Sequence, residues 1–428
     1  MGKKLYKNNL INEELIFTKL ESELDVFLIP KKGYNNKYAL FSTKYGSNDN
    51  KFKPINESEF IQVPEGIAHF LEHKLFEEPE GNIFDSFSKL GTNVNAYTNF
   101  NQTAYIFSCT DNFYESLELL IKFVQNPYFT DENVEKEKGI IAQEIKMYED
   151  NPGWRVLFNT LKSMYFDHPV KIDIAGTIDS IQSIDKDTLY KCYNTFYSPK
   201  NMVLVLVGDI NFDKALEVIN KVERKDFEIG EEIIRLYPEE KKGVLNNYIV
   251  ENMITSMPLL AIGFKDNDLY YNGEKLIKRE LVSNILLDMI FGVSSEFYQE
   301  LYNEGLIDGS FGGNYSGYND YGHSIISGQT NEPEVVADRI IAYIKNLKNN
   351  GLSKEDFMRI KKKSIGYNLM GFNSIEYIGN NFANYYFMDF NFLDYLNIYE
   401  KISYEDILNR LHMHFADDNY VLSVIKPI

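Results

Sequence analysis

Apolar residues along the first 45 positions alternate or fall in short runs, predicting strands at residues 14–20, 25–30 and 37–45 with polar breaks between them. The period then changes. Ile67, Phe70, Leu71, Leu75 and Phe76 recur at helical spacing, and Pro64 suits a first turn, so a helix is expected over 62–76. Beyond it the pattern predicts a helix near 82–90, strands at 92–99 and 103–109, and a helix at 113–125. Another helix, capped by Thr130, should run to about residue 149. Helices at 154–164 and 187–197 follow, the second stopped by Ser198-Pro199. The near-continuous apolar run 201–209 reads as a strand covered on both faces, and a helix over 212–222 closes the half.

The second half begins again with strands, at 247–253 and 257–265. Helices at 280–291 and 294–303, a Gly- and Tyr-rich strand region at 310–328, and helices at 334–349 and 353–369 come next. The strand 419–425 closes the chain and resembles 201–207, which lies 218 residues earlier. This recurrence predicts an internal duplication. The expected domains are 1–228 and 247–428, joined by the charged, weakly patterned linker 229–246.

Chemistry concentrates on the helix over 62–76. It carries His69, Glu72 and His73, spelling His-x-x-Glu-His, in a chain with only 6 His. Residues i and i+4 share a helix face and i+3 lies beside them, so two imidazoles point one way with a carboxylate next to both. Such a pair can grip zinc and leave room for a third ligand and a water, whose proton Glu72 can take. On the helix ending near 149, Glu137 and Glu144 are seven residues apart and share a face. Glu144 is the candidate third ligand, and Glu137 a candidate to orient a ligand from behind. Taken alone, acidic residues on a helix more often mark a solvated face. His412-Met-His414 is a poor chelate, because i and i+2 diverge on a helix.

Composition narrows the field. Hydrophobic content of 44 % and charged content of 25 % suit a globular protein, and 428 residues favour two domains. A net charge of −19 argues against nucleic acid as the main partner. Two isolated cysteines, Cys109 and Cys192, are expected as buried free thiols. No run reaches membrane-spanning length and the N-terminal residues hold no apolar leader, so the expected location is cytoplasmic, with no membrane partner.

The runs 66–77, 93–98 and 194–202, together with Glu137, Glu144 and Val207-Gly-Asp209, resemble the insulinase/pitrilysin family of zinc metallopeptidases. Within it, they are most similar to the bacterial YmfH-like branch related to mitochondrial processing peptidase. The resemblance implies an α+β fold of two homologous domains, each a mostly antiparallel sheet packed with helices, facing each other across a chamber. It implies Zn2+ on His69, His73 and Glu144, with Glu72 as general base. It implies that Asn95 and Ala96 bind the substrate backbone as an added strand. Active relatives also use an Arg and a Tyr flanking a Gly-Leu pair in a C-terminal half. Aligned on Gly305-Leu306, those positions hold Leu301 and Asp308. The expectation is therefore a zinc endopeptidase acting on peptides or small unfolded proteins beside a metal-free paralogous subunit, as a heterodimer, or as a homodimer. The rival is a non-catalytic zinc-binding subunit that binds peptides or serves assembly.

Overall fold

The computed structural model describes residues 2–79, 81–225, 232–416 and 419–428, and two sheets organise it. The first is built from Lys4–Asn8 (β1), Glu13–Lys19 (β2), Asp25–Pro30 (β3), Lys37–Thr43 (β4), Asn93–Thr98 (β5), Thr103–Cys109 (β6) and Met202–Gly208 (β7). Its spatial order is β1-β2-β3-β7-β4-β6-β5. The second comprises Tyr248–Met253 (β8), Leu259–Lys265 (β9), Gly312–Gly317 (β10), Gly322–Gln329 (β11) and Tyr420–Pro427 (β12), in the order β8-β12-β9-β11-β10. Each sheet has one parallel pair, β7 with β3 and β12 with β8, and its other ladders are antiparallel.

Without β1 and β2 the two sheet orders coincide strand for strand. The equivalence reaches single side chains. Asn201 Nδ2 donates to the Lys44 carbonyl at 3.1 Å, just past the end of β4, and Asn419 Nδ2 donates to the Lys265 carbonyl at 2.6 Å, at the end of β9. The protein is a duplicated α+β unit.

β7 shows why its sequence is so uniformly apolar. All seven of its residues are buried. Val203, Val205 and Val207 enter one core and Leu204 and Leu206 enter another, as period-two alternation demands when both faces are covered. The cover on the first face comes from the other domain. Helix Ile67–Leu75 (α1) and helix Asp131–Glu149 (α2) belong to the first domain, as does Pro152–Met164 (α3), yet α3 packs on β9 and β12 of the second sheet. Reciprocally, Ile375–Tyr386 (α4) from the second domain packs on β7 and β4 of the first. Both contacts are made through a glycine. A Cβ at Gly263 would sit 2.5 Å from Thr160 of α3, and one at Gly379 would sit 2.5 Å from the ring of Tyr38.

Several expectations shift. β1 was not expected; its residues are mostly exposed and it is held by its ladder to β2. The motif helix starts at Ile67 rather than near Pro64, because Gly66 lies at φ 86, outside helical space. Of the expected linker 229–246, residues 229–231 lie outside the described residues. The remainder is tied down: Ile234–Arg235 pairs with Lys51–Lys53, and Glu240 accepts from the backbone N–H of Phe166, Asp167 and His168. Cys109 and Cys192 are free and buried. Among the described residues no helix is long and apolar enough to cross a membrane.

Candidate metal centre

α1 is amphipathic in an unusual sense. Ile67, Phe70, Leu71 and Leu75 enter the first-domain core, and even its chemical residues His69 and Glu72 are largely buried. Its start is fixed sterically. A Cβ on Gly66 would lie 2.3 Å from the Ala175 carbonyl oxygen, and one on Gly176 would lie 2.5 Å from that of Glu65. Only glycine at these positive-φ sites lets the two loops close around the helix N-terminus. α2 begins at a Thr130/Asn133 capping box, and Val134, Glu137, Ile141 and Ile145 form its buried stripe. This stripe sets α2 against α1 and carries Glu144 to the edge of the contact.

The two helices bring the predicted residues together. Ligand atoms of His69, Glu72 and His73 all lie within 4.8 Å of one another. Glu144 Oε1 is 3.6 Å from His69 Nε2, and Glu144 Oε2 is 3.5 Å from His73 Nε2. These separations are long for N–H···O bonds. They suit donors sharing one ion: ligands about 2.05 Å from a tetrahedral zinc stand roughly 3.3 Å apart. Behind the pair, Glu137 Oε1 lies 3.1 Å from His73 Nδ1. A carboxylate only accepts, so Nδ1–H donates, and in the neutral ring the Nε2 lone pair faces Glu144.

The electrostatics call for a cation. Glu72, Glu137 and Glu144 surround two imidazoles; of the nearby ammonium groups, the fully buried Lys74 pairs with Glu77 and lies 3.8 Å from Glu137, and Lys136 pairs with Glu77 at 3.2 Å. Burial, with the His73 charge, pushes His69 down to about 4, so its imidazole is neutral and able to bind metal at pH 7. At His73 burial also works downward, but the Glu137 bond and the nearby carboxylates outweigh it and raise the pKa. Burial lifts Glu72 to about 7, against the pull of His73 and of the Thr98 hydroxyl 3.3 Å away. A carboxyl poised there can take and return a proton at neutral pH.

The residues line a cleft of about 530 Å³ that also includes Asn95 and Ala96. Both belong to β5, the outermost strand of its sheet, and Asn95 Oδ1 accepts from the Ala96 N–H at 2.9 Å. Leu301 is fully buried, and Asp308 Oδ1 accepts from the Ser310 N–H at 2.8 Å, so neither presents a donor like Arg or Tyr. Sequence reasoning missed three neighbours. Tyr148 donates to Glu144 Oε1 at 2.7 Å and stacks on Trp154; its i+4 spacing from Glu144 was a usable signal. Thr98, at the end of β5, meets Glu72. Lys74 reads as a surface lysine, and nothing local marks it as buried.

Residues 62–178 match the model for Insulinase (Peptidase family M16), and residues 183–364 match that for the Peptidase M16 inactive domain. The uncharacterized zinc protease YmfH of Bacillus subtilis (strain 168) is 42 % identical over 418 residues, covering 97 % of each chain. The zinc protease YmxG of the same organism is 26 % identical over 328 residues, 73 % of this chain and 76 % of that one. An M16-like peptidase of Alicyclobacillus acidocaldarius superposes with a TM-score of 0.94 at 38 % identity, over 97 % of this chain and 99 % of the other. The chain belongs to the insulinase family of M16 peptidases.

Proposed function

We propose that the protein is a zinc-dependent endopeptidase acting on peptides or small unfolded proteins. The carrying observation is the placement of both Glu144 oxygens 3.5–3.6 Å from the two imidazole Nε2 atoms, with Glu72 alongside. His69, His73 and Glu144 would hold the ion. Bound there, zinc would polarise a carbonyl and bring the pKa of a water toward about 7. Glu137 fixes the His73 tautomer through Nδ1. The Glu72 carboxylate accepts the proton of the attacking water and returns it to the leaving amine nitrogen, and Thr98 orients that carboxylate. The free edge of β5 receives the substrate backbone beside Asn95 and Ala96.

Leu301 and Asp308 leave the transition-state oxyanion without the Arg and Tyr that the family uses. We place those donors on a metal-free paralogous subunit in a heterodimer, with a homodimer as the other arrangement. One lost oxyanion donor is worth about 3 kcal/mol. A quenched-peptide assay, with and without chelator and with the paralogue added, tests the whole reading. Chelator-sensitive cleavage lost in Glu72→Gln supports it. Full activity of the isolated chain would dismiss the partner while keeping the peptidase. Zinc binding with no cleavage under any pairing would favour the non-catalytic peptide-binding subunit, a reading the buried Leu301 supports.

A further inference from the structure

α1 packs on one face of the first sheet. On the opposite face, between β1–β3 and the end of α4, lies a second and larger cavity of about 790 Å³. That volume is in the range of small-molecule sites, about 300–1,000 Å³, and it lies at a domain interface, where such sites concentrate. Its walls are aromatic and come from both domains. Phe27 of β3 stacks on Phe17 of β2 at 4.7 Å and packs against Phe382 of α4 at 4.8 Å, and Phe390 continues the wall.

The polar lining is lopsided. Lys4, Lys44 and Lys200 face the cavity, and Asp389, which is exposed, is the one carboxylate among the described lining residues. Among those residues none of the three lysines has a carboxylate within ion-pair distance, although the chain carries a net charge of −19. Lys44 is partly buried. Burial, then the Arg235 charge, pushes its amine down, and the Asp389 and Asp49 carboxylates offset this only in part. An apolar crevice lined by three lysines and one carboxylate, inside an acidic protein, has a complementary ligand: an apolar chain with one anionic head. Phe17, Phe27, Phe382 and Phe390 offer apolar surface to a hydrocarbon chain, whereas the edge strand β1, which also borders the crevice through Lys4, Leu5 and Tyr6, is the feature a peptide would use.

We propose that this crevice binds a long-chain carboxylate, its hydrocarbon against Phe17, Phe27, Phe382 and Phe390 and its head group on Lys44 with Lys4 and Lys200. The site is separate from the metal centre and stands whether or not the chain is a peptidase.

Titration of the full-length protein with cis-parinaric acid, followed by its fluorescence, tests the site, with competition by saturated carboxylates of graded length. Saturable binding is expected, insensitive to EDTA, weakening about fourfold per methylene removed. The paired reversals Lys44→Glu and Lys200→Glu should weaken it at least about tenfold, as should replacing the carboxylate by the matched alcohol. Lys4→Glu with Lys200→Glu, both on exposed side chains, provides a charge test without risk to folding and should weaken binding in the same direction. Absence of saturation overturns the proposal, as does binding that ignores charge reversal, or an alcohol that binds as well as the acid. Displacement of the probe by an apolar peptide with a free C-terminus, but not by dodecanoate, would reassign the crevice to peptide docking and also overturn it.

Discussion

Glu137 touches the proposed metal site without reaching the ion, which makes it a sharp probe of the reasoning. Glu137→Gln keeps the length and one acceptor oxygen but removes the charge. The bond to His73 Nδ1, 3.1 Å in the native protein, then changes from charge-assisted to neutral. Charge-assisted bonds contribute about 1.5–3 kcal/mol and neutral ones about 0.5–1.5, so the imidazole loses roughly 1–1.5 kcal/mol of support. At about 1.4 kcal/mol per factor of ten, zinc affinity should fall about tenfold. Glu137→Leu removes the acceptor altogether and takes one of two carboxylates from the buried Lys74, whose Nζ lies 3.8 Å from Glu137. Its loss should approach about 100-fold, the upper end for partners of this kind. Competition for zinc against a chromophoric chelator, on protein shown to be folded by circular dichroism, measures both. If both variants bind zinc within a factor of two of wild type, the assignment of Nε2 of His73 to the metal is wrong.

Glu72→Gln should retain zinc while slowing peptide cleavage by at least about 10²-fold in a quenched-peptide assay. Tyr148→Phe removes the hydroxyl that donates to Glu144 at 2.7 Å and should weaken zinc about tenfold by the same chelator competition, with the melting temperature of the metal-free protein little changed. Gly379→Ala drives a Cβ to within 2.5 Å of Tyr38 and should destabilise the protein by about 1–3 kcal/mol in urea unfolding. Burial disfavours the Asp266 carboxylate, but His414 and the Arg410 guanidinium outweigh it and hold its pKa well below the usual range. A depressed carboxyl stabilises above its unfolded pKa of about 3.9 and loses that contribution as pH falls. Asp266→Asn, which leaves the buried Arg410 only Asp268 at 3.7 Å as a counter-charge, should therefore cost about 3 kcal/mol near neutrality, and its deficit in thermal melting should narrow only below about pH 4.

The metal site was legible because its residues obey local rules. His69 and His73 are one helical turn apart, and Glu137 and Glu144 two, so each set's shared face follows from 3.6 residues per turn. That the two faces meet was implied by the family resemblance rather than by spacing. Lys74 was illegible because its burial depends on carboxylates at residues 77 and 137, contributed by different elements. The fold divides the same way. β6 and β7 announced themselves through buried runs, whereas β1 could not, since Leu5 is 66 % exposed and pairing with β2, not apolar burial, holds the strand. The crossing of α3 and α4 to each other's sheets is a tertiary arrangement with no local signature.

That crossing decides what happens when the gene is split. A fragment ending before residue 248 would fold around a sheet whose Tyr38, Leu40, Val205 and Val207 face water, and its own α3 would lose the sheet it lies on. The complementary fragment would suffer the mirror-image defect. Each piece made alone should aggregate, and the two made in the same cell should rescue one another, because either half supplies the lid the other is missing.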